Sequence, residues 1–241
     1  GRVLFYDKNL SKNNSIACAS CHKQEFAFAD NVAFSKGFEH LETKRNSIAI
    51  QNIGNNGIIM PPIKGGSLFW DGRESSLESL ISKPIANHIE MGMEDTNILL
   101  SKLNNLPYYK NLLQTAHGTS TLTMEIIAQD MSLFLSGINS SRSRFDRQFM
   151  NSFPNGFTFD PLEEKGKILF NTTYQCSNCH HPSTGMYVNN NFFNIGLDAD
   201  AEDKGRMNIT GDAQMEGAFI VPDLHNVAVT APYMHDGRFK T

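Results

Sequence analysis

All four cysteines of this 241-residue chain stand in two Cys-x-x-Cys pairs, and each pair runs straight into a histidine. The first is Cys18-Ala19-Ser20-Cys21-His22 and the second is Cys176-Ser177-Asn178-Cys179-His180. Cys-x-x-Cys-His is the attachment sequence of a c-type haem. Two thiols add across the vinyl groups on one porphyrin edge, and the adjacent imidazole reaches the iron as proximal ligand. Shuffling this composition gives one such pentapeptide in about 0.2% of chains, and two on the order of once in a million. A four-cysteine zinc site would have to join pairs 158 positions apart (176 − 18) and would leave both histidines unexplained. A redox dithiol needs no histidine there, and structural disulfides would close very small loops. The expected cofactors are therefore two covalently bound haem c groups, on Cys18, Cys21 and His22 and on Cys176, Cys179 and His180. Such attachment takes place outside the bacterial cytoplasm, so a periplasmic or surface-tethered protein is expected. No signal peptide is visible, and the chain reads as mature or trimmed.

Hydrophobic residues make up 40% of the chain and charged residues 19%. That supports a buried core and excludes wholesale disorder. No apolar run approaches the roughly 18 residues of a membrane helix, so no membrane span is expected. A formal net charge of -4 argues against a nucleic-acid surface. At about 100–150 residues per domain, two domains are expected, 1–150 and 151–241. A short repeat supports duplication: Gly1-Arg2-Val3-Leu4-Phe5 matches Gly166-Lys167-Ile168-Leu169-Phe170 in residue type, and each precedes a Cys-x-x-Cys-His motif.

Helical signals dominate, giving an all-α expectation of two cytochrome-c-like domains with long irregular loops. Asp160-Pro161-Leu162-Glu163 reads as N-cap, proline at N1 and acid at N3, with Leu162, Leu169 and Phe170 on one face. Asp95 caps a helix over Thr96–Leu103. Pro107 opens Tyr108–Ala116, which Gly118 ends. Thr123 caps Met124–Leu135, with Ile127, Met131, Phe134 and Leu135 at helical spacing. Asn151–Phe159 reads as a linker, and Asn52–Gly66 and Tyr187–Gly217 as loops.

A haem with both axial positions filled carries electrons, whereas one with an open position can activate an oxidant. Peroxide reduction takes two electrons, which two irons can supply. Ten methionines and His40, His88, His117, His181, His225 and His235 are candidate sixth ligands, and periodicity does not choose among them.

The sequence resembles the bacterial di-haem cytochrome c peroxidase family, including the methylamine-utilisation di-haem enzymes. The resemblance rests on both haem motifs and on four further stretches. These are Lys44-Arg45-Asn46, Phe69-Trp70-Asp71-Gly72-Arg73, Ile89-Glu90-Met91-Gly92 and the run from Asn226 through Pro232-Tyr233-Met234-His235 to Gly237. It implies a peroxidatic N-terminal haem and an electron-transfer C-terminal haem. Glu90 matches the distal acid–base carboxylate. Trp70 matches the relay position between the haems. A calcium ion is implied on the Asn46 side chain and the Thr230 and Pro232 carbonyls, with water completing the shell. The implied activity is periplasmic reduction of hydrogen peroxide with electrons from a small donor protein, a cytochrome c or a cupredoxin. Homodimers are implied as common, but no self-complementary patch is readable.

Two departures stand out. Where many members carry a histidine that closes the oxidised peroxidatic iron, this chain has Phe38, with His40 two residues later. The expectation is a peroxidatic haem open even when oxidised. The family's distal ligand to the second haem, Met or Tyr, falls beyond Thr241, so the C-terminal unit is expected to be incomplete. Met215 and Phe219 are candidates for a docking side, and His181 for a surface or propionate neighbour. The rival readings are a methylamine-utilisation-type oxidase acting on a protein or organic substrate through a high-valent state, and a non-enzymatic di-haem electron carrier.

Overall fold

The computed structural model describes residues 1–53, 68–140, 142–149, 158–180 and 192–241. The helices are α1 (Arg2–Tyr6), α2 (Cys18–Cys21), α3 (Leu77–Ala86), α4 (Thr96–Asn104), α5 (Pro107–His117), α6 (Met124–Ser136), α7 (Arg144–Phe149), α8 (Pro161–Ile168) and α9 (Met207–Thr210). Among the described residues one sheet occurs, the antiparallel pair β1 (Phe192–Phe193) and β2 (Phe219–Ile220), with Phe192 opposite Ile220. The chain is helix-rich with little sheet, as the sequence signals imply.

The longer helices begin where side chains satisfy the first backbone N–H groups. Asp95 Oδ1 accepts from the amides of Asn97 and Ile98 at 2.8 and 3.4 Å. Thr123 Oγ1 accepts from Ile126 at 3.3 Å. Asp160 accepts from Leu162 and Glu163 while the Glu163 carboxylate accepts from the Asp160 amide, a reciprocal capping box. Each such cap contributes about 1 kcal/mol. Pro107 starts α5 at no cost in lost hydrogen bonds, and Gly118 ends it at φ +68°.

The core lies in the N-terminal part. Helix α6 packs on both α3 and α1. Its Ile127, Met131 and Leu135 share a buried cluster with Ile81 and Ile85 of α3 and Leu4 and Phe5 of α1. Leu99 and Leu103 of α4 and Tyr109 and Leu113 of α5 complete it. Burying each of these side chains is worth about 1.5–3 kcal/mol. The C-terminal part is different: among its described residues, Ala218 alone is a fully buried apolar group.

Helix α8 corrects one expectation. Leu162 is 80% exposed, so it shares no buried face with Leu169 and Phe170. The chain passes at Leu169 into a π-helical turn over Leu169–Thr173. A wider turn rotates every following side chain away from the 3.6-residue register. Residues 151–157 of the expected linker, 54–66 and 187–191 of the expected loops, and His181 lie outside the described residues.

The C-terminal segment is fastened to the N-terminal part by a histidine between two carboxylates. His225 Nδ1 lies 2.8 Å from Asp223 Oδ1, and its Nε2 lies 3.0 Å from Asp146 Oδ1 on α7. Carboxylates only accept, so both ring nitrogens donate and the ring is an imidazolium. The Asp223 hydrogen bond raises its pKa to about 9 against the opposing effect of burial. Asn52 Nδ2 holds the other Asp223 oxygen at 2.9 Å, and Asn226 Nδ2 donates to Gln51 Oε1 at 2.6 Å. A raised histidine pKa gives stability that is complete below the unfolded value near 6.5 and lost as pH rises through about 9. The thermal midpoint is therefore expected to fall between pH 7 and pH 10. The loss should be on the order of 2 kcal/mol after allowing for solvent screening. His225→Gln should flatten that part of the profile, and an unchanged slope in the variant would refute the assignment.

Candidate active site

A single cavity of about 1650 Å³ receives side chains from both Cys-x-x-Cys-His motifs. It exceeds the roughly 300–1,000 Å³ of an ordinary small-molecule pocket. Cys18, Cys21 and His22 line it from one side, and Cys179 and His180 from the other. Trp70 and Glu90 line the same space.

The first motif forms α2, and its histidine follows as the helix ends. His22 Nδ1 lies 2.9 Å from the Phe28 carbonyl. A carbonyl can only accept, so Nδ1 carries the hydrogen and the ring's lone pair sits on Nε2. That is the tautomer an iron ligand requires. Burial lowers the His22 pKa, with the Phe28 carbonyl and Asp30 opposing. Burial also pushes the Cys18 and Cys21 thiols up, to about 12 and about 11. Such thiols are neutral, unlike the thiolates of a zinc site. Among the described residues no three His, Cys, Asp or Glu side chains converge on a metal position. In the second motif, burial likewise lowers the His180 pKa, with the Pro222 carbonyl opposing. Two imidazoles kept neutral, paired thiols and a large, mostly apolar space fit c-type haem at both positions.

Glu90 sits on a turn after α3 that Asn87 organises. The Asn87 carbonyl accepts from Met91 and Gly92 at 3.1 and 2.8 Å, its Oδ1 accepts from Ile89 at 2.9 Å, and its Nδ2 donates to Glu90 Oε1 at 2.9 Å. Burial raises the Glu90 pKa, with the Arg73 cation pulling it down. A carboxylate of this kind holds a proton closer to neutral pH than an ordinary one.

Phe38 and Gly37 clamp that turn from outside. The Phe38 amide donates to the Ile89 and Glu90 carbonyls, both at 2.9 Å. A Cβ on Gly37 would lie 2.1 Å from the Ile89 oxygen and 2.7 Å from the Glu90 oxygen. The Phe38 ring is buried against Gly92 and is not part of the cavity wall. His40 is exposed and also stands outside the wall.

Trp70 is buried, and its Nε1 donates to the Asn46 carbonyl at 2.8 Å. The Asn46 amide donates to the His235 carbonyl at 2.7 Å. The Trp70 carbonyl accepts from Ile220 of β2 at 2.9 Å. The indole thus lies where both parts of the chain meet. Asn46 Nδ2 donates to the Val32 carbonyl at 3.0 Å, which leaves Oδ1 as its available acceptor. Among the expected site residues, Cys18, Cys21, His22, Cys179, His180, Trp70, Glu90 and Asn46 share the cavity wall. Cys176, Thr230 and Pro232 do not line it. Phe219, expected on a docking side, faces inward instead. It stacks on His235 with centroids 3.8 Å apart at 13°, and the Arg45 guanidinium lies 5.4 Å from its ring centre.

A helix-rich chain whose paired Cys-x-x-Cys-His motifs face one cavity has the arrangement that multi-haem c-type cytochromes use. The description "Di-haem cytochrome c peroxidase" belongs to the family model that matches residues 1–152. The cytochrome c551 peroxidase of Nitrosomonas europaea is 30% identical over 98% of this chain and 67% of its own length. The methylamine utilization protein MauG of Paracoccus denitrificans is 30% identical over 99% of this chain and 70% of its own. Among solved structures, a MauG-like protein associated with microbial copper homeostasis superposes with a TM-score of 0.82 at 30% identity, covering 100% of this chain and 72% of that one. The chain belongs to the di-haem cytochrome c peroxidase family, a family of oxidoreductases. It spans about two thirds of the length of the curated relatives it matches. Among the described residues, no helix is long and apolar enough to cross a membrane.

Gly37 gives a direct test of the clamp. Gly37→Ala should cost about 1–3 kcal/mol in denaturant titration, because backbone oxygens stand where its Cβ must go. Gly166→Ala, in the middle of α8 with open space around it, should instead be neutral or gain up to about 1 kcal/mol. Equal effects at the two positions would count against the clamp.

Proposed function

We propose that this chain is a periplasmic peroxidase that reduces hydrogen peroxide to water with electrons from a small redox protein. The supporting observation is the single cavity in which both haem-attachment motifs, the buried Trp70 and the raised-pKa Glu90 meet. In this reading Cys18 and Cys21 hold the peroxidatic haem over His22, and Cys176 and Cys179 hold the electron-transfer haem over His180. The two units run 1–150 and 151–241. The haems supply the redox chemistry, taking electrons singly and passing them to peroxide in pairs.

The residues of this chain supply position and protons. His22 presents Nε2 because the Phe28 carbonyl occupies its Nδ1–H. Glu90 takes the proton from the near oxygen of peroxide and returns it to the leaving oxygen, which favours heterolysis. Asn87 fixes the Glu90 carboxylate during that exchange. Trp70 gives a polarisable ring on the route between the two units, anchored through Asn46. The same Asn46, with the Thr230 and Pro232 carbonyls, is the proposed calcium site. Neutral oxygen donors and few charges suit a hard cation that keeps several waters. A calcium ion there would stiffen the segment that carries the indole's anchor.

A second reading has its own support. Phe38 is packed away and His40 stands outside the cavity wall, so neither side chain reaches into the peroxidatic space. An open site suits both a peroxidase that needs no reductive activation and an oxidase acting on a protein or organic substrate.

Turnover of the haem-loaded protein, started from the fully oxidised and from the half-reduced state, separates these. Rapid donor oxidation from both states is expected. A persistent oxidised species without donor turnover would favour the oxidase, and no reaction at all the electron carrier. Glu90→Gln should lower kcat by about 10²–10⁴-fold. The wild-type rate should fall on the acid side at a higher pH than an ordinary glutamate would set, because burial raises this carboxyl. Arg73→Ala removes the opposing cation and should move that limb to still higher pH.

A further inference from the structure

Six histidines lie outside the two motifs. Among the described ones, His40, His117 and His225 do not line the cavity, and His235 is committed to its stack on Phe219. His88 remains. It lines the cavity on the turn that carries Glu90, two residues before it. The turn is rigid at both ends, since Asn87 holds its backbone and Phe38 holds the Ile89 and Glu90 carbonyls.

Three observations define what His88 is suited to do. Its ring packs edge-on against Phe38, with centroids 5.8 Å apart at 73°, so its position is set by a buried neighbour. Its Nδ1 lies 3.3 Å from Glu94 Oε1, and a carboxylate there favours the hydrogen on Nδ1 and leaves Nε2 as the basic nitrogen. Its side chain is 55% exposed, and that of Glu94 65% exposed, so the pair is in contact with water while Glu90 is half-buried. A solvent-facing base, oriented by an acid and mounted beside a half-buried carboxylate on the same cavity wall, is the arrangement of a proton relay.

We propose that His88 carries protons between solvent and Glu90, with Glu94 orienting its ring. The proposal rests on the peroxidase reading of the cavity. Reduction of one hydrogen peroxide to two waters consumes two electrons and two protons. The electrons come from the reduced donor protein, and the protons come from solvent. In the relay His88 Nε2 takes a proton from a solvent hydronium, which becomes water; the Nε2–H bond of the imidazolium then breaks as an O–H bond forms on the Glu90 carboxylate, and the neutral ring is returned for the next proton. Glu90 alone can move a proton between the two peroxide oxygens, but it cannot import the two that the stoichiometry requires without a path to water.

The test uses the haem-loaded protein with His88→Gln and Glu94→Gln variants. His88→Gln should lower kcat by about 10- to 100-fold with KM little changed, and added imidazole should restore much of the loss. Glu94→Gln should lower it less. A readout independent of turnover is the association of hydrogen cyanide with the oxidised protein, followed by the Soret shift. Binding as cyanide requires a nearby group to take the proton, so association should slow in His88→Gln. The oxidised spectrum should be the same in both proteins. Unchanged kcat and cyanide association in His88→Gln would overturn the proposal. So would a low-spin oxidised wild type that turns high-spin in the variant, since His88 would then be an iron ligand. If the wild type shows no peroxide turnover, the peroxidase reading fails, and cyanide association alone still decides the role of His88.

Discussion

Two neighbouring residues, Arg45 and Asn46, hold the arrangement together. The Arg45 guanidinium donates to Asp71 Oδ2 at 2.7 Å and to both oxygens of Asp203 at 2.6 and 2.8 Å. Burial works against its charge, but the two carboxylates outweigh that and raise its pKa. Asp71 belongs to the turn that carries Trp70, and Asp203 to the C-terminal part. Asp71 is buried while Arg45 and Asp203 are half-buried, so loss of the cation would leave the Asp71 charge without its counter-ion. Asn46 continues the tie through its carbonyl to the indole and its amide to His235. Arg206 closes it from the far side, donating to the Asp71 and Gly72 carbonyls. The geometry of the cavity therefore follows from one cation placed between the two parts of the chain.

The two parts are stabilised by different means. Residues 4–135 contain a packed helical core. Among its described residues the C-terminal part offers little apolar burial and is tied to its neighbour by hydrogen bonds. A c-type haem is itself a large apolar body fixed by two covalent bonds, and in the reading proposed above it serves as the core of that unit as well as its cofactor. Small units that cannot bury enough of their own side chains commonly depend on such a group.

What the sequence disclosed follows the range over which each interaction acts. The caps at Asp95, Thr123 and Asp160 are contacts two or three residues long, and they read directly from the chain. The attachment motifs are five-residue chemistry and read as easily. Arg45 and Asp203 stand 158 positions apart (203 − 45), and nothing in either segment signals that they meet. His225 between Asp146 and Asp223 was invisible for the same reason. Gly37 has no local signal in the sequence, since its role is steric and depends on a turn some fifty residues away. Glu90 and Trp70 became candidates only through the family resemblance, since a lone acid and a lone tryptophan have no local signature. His88 lacked even that, and its proximity to Glu94 and Phe38 had to be seen in space. The docking-side expectation for Phe219 had no local signal behind it, and in the structure its ring stacks on His235 instead.

The Phe38 clamp has a mechanical consequence. The backbone amide that fixes this loop is bonded to the same two carbonyls that set the height of Glu90 over the cavity. A movement that carried the Phe38 amide off this turn would release both bonds and free the backbone that bears Glu90 at the same moment. In the reading proposed above, the loop beside Phe38 and the placing of the carboxylate are therefore mechanically linked through one backbone amide.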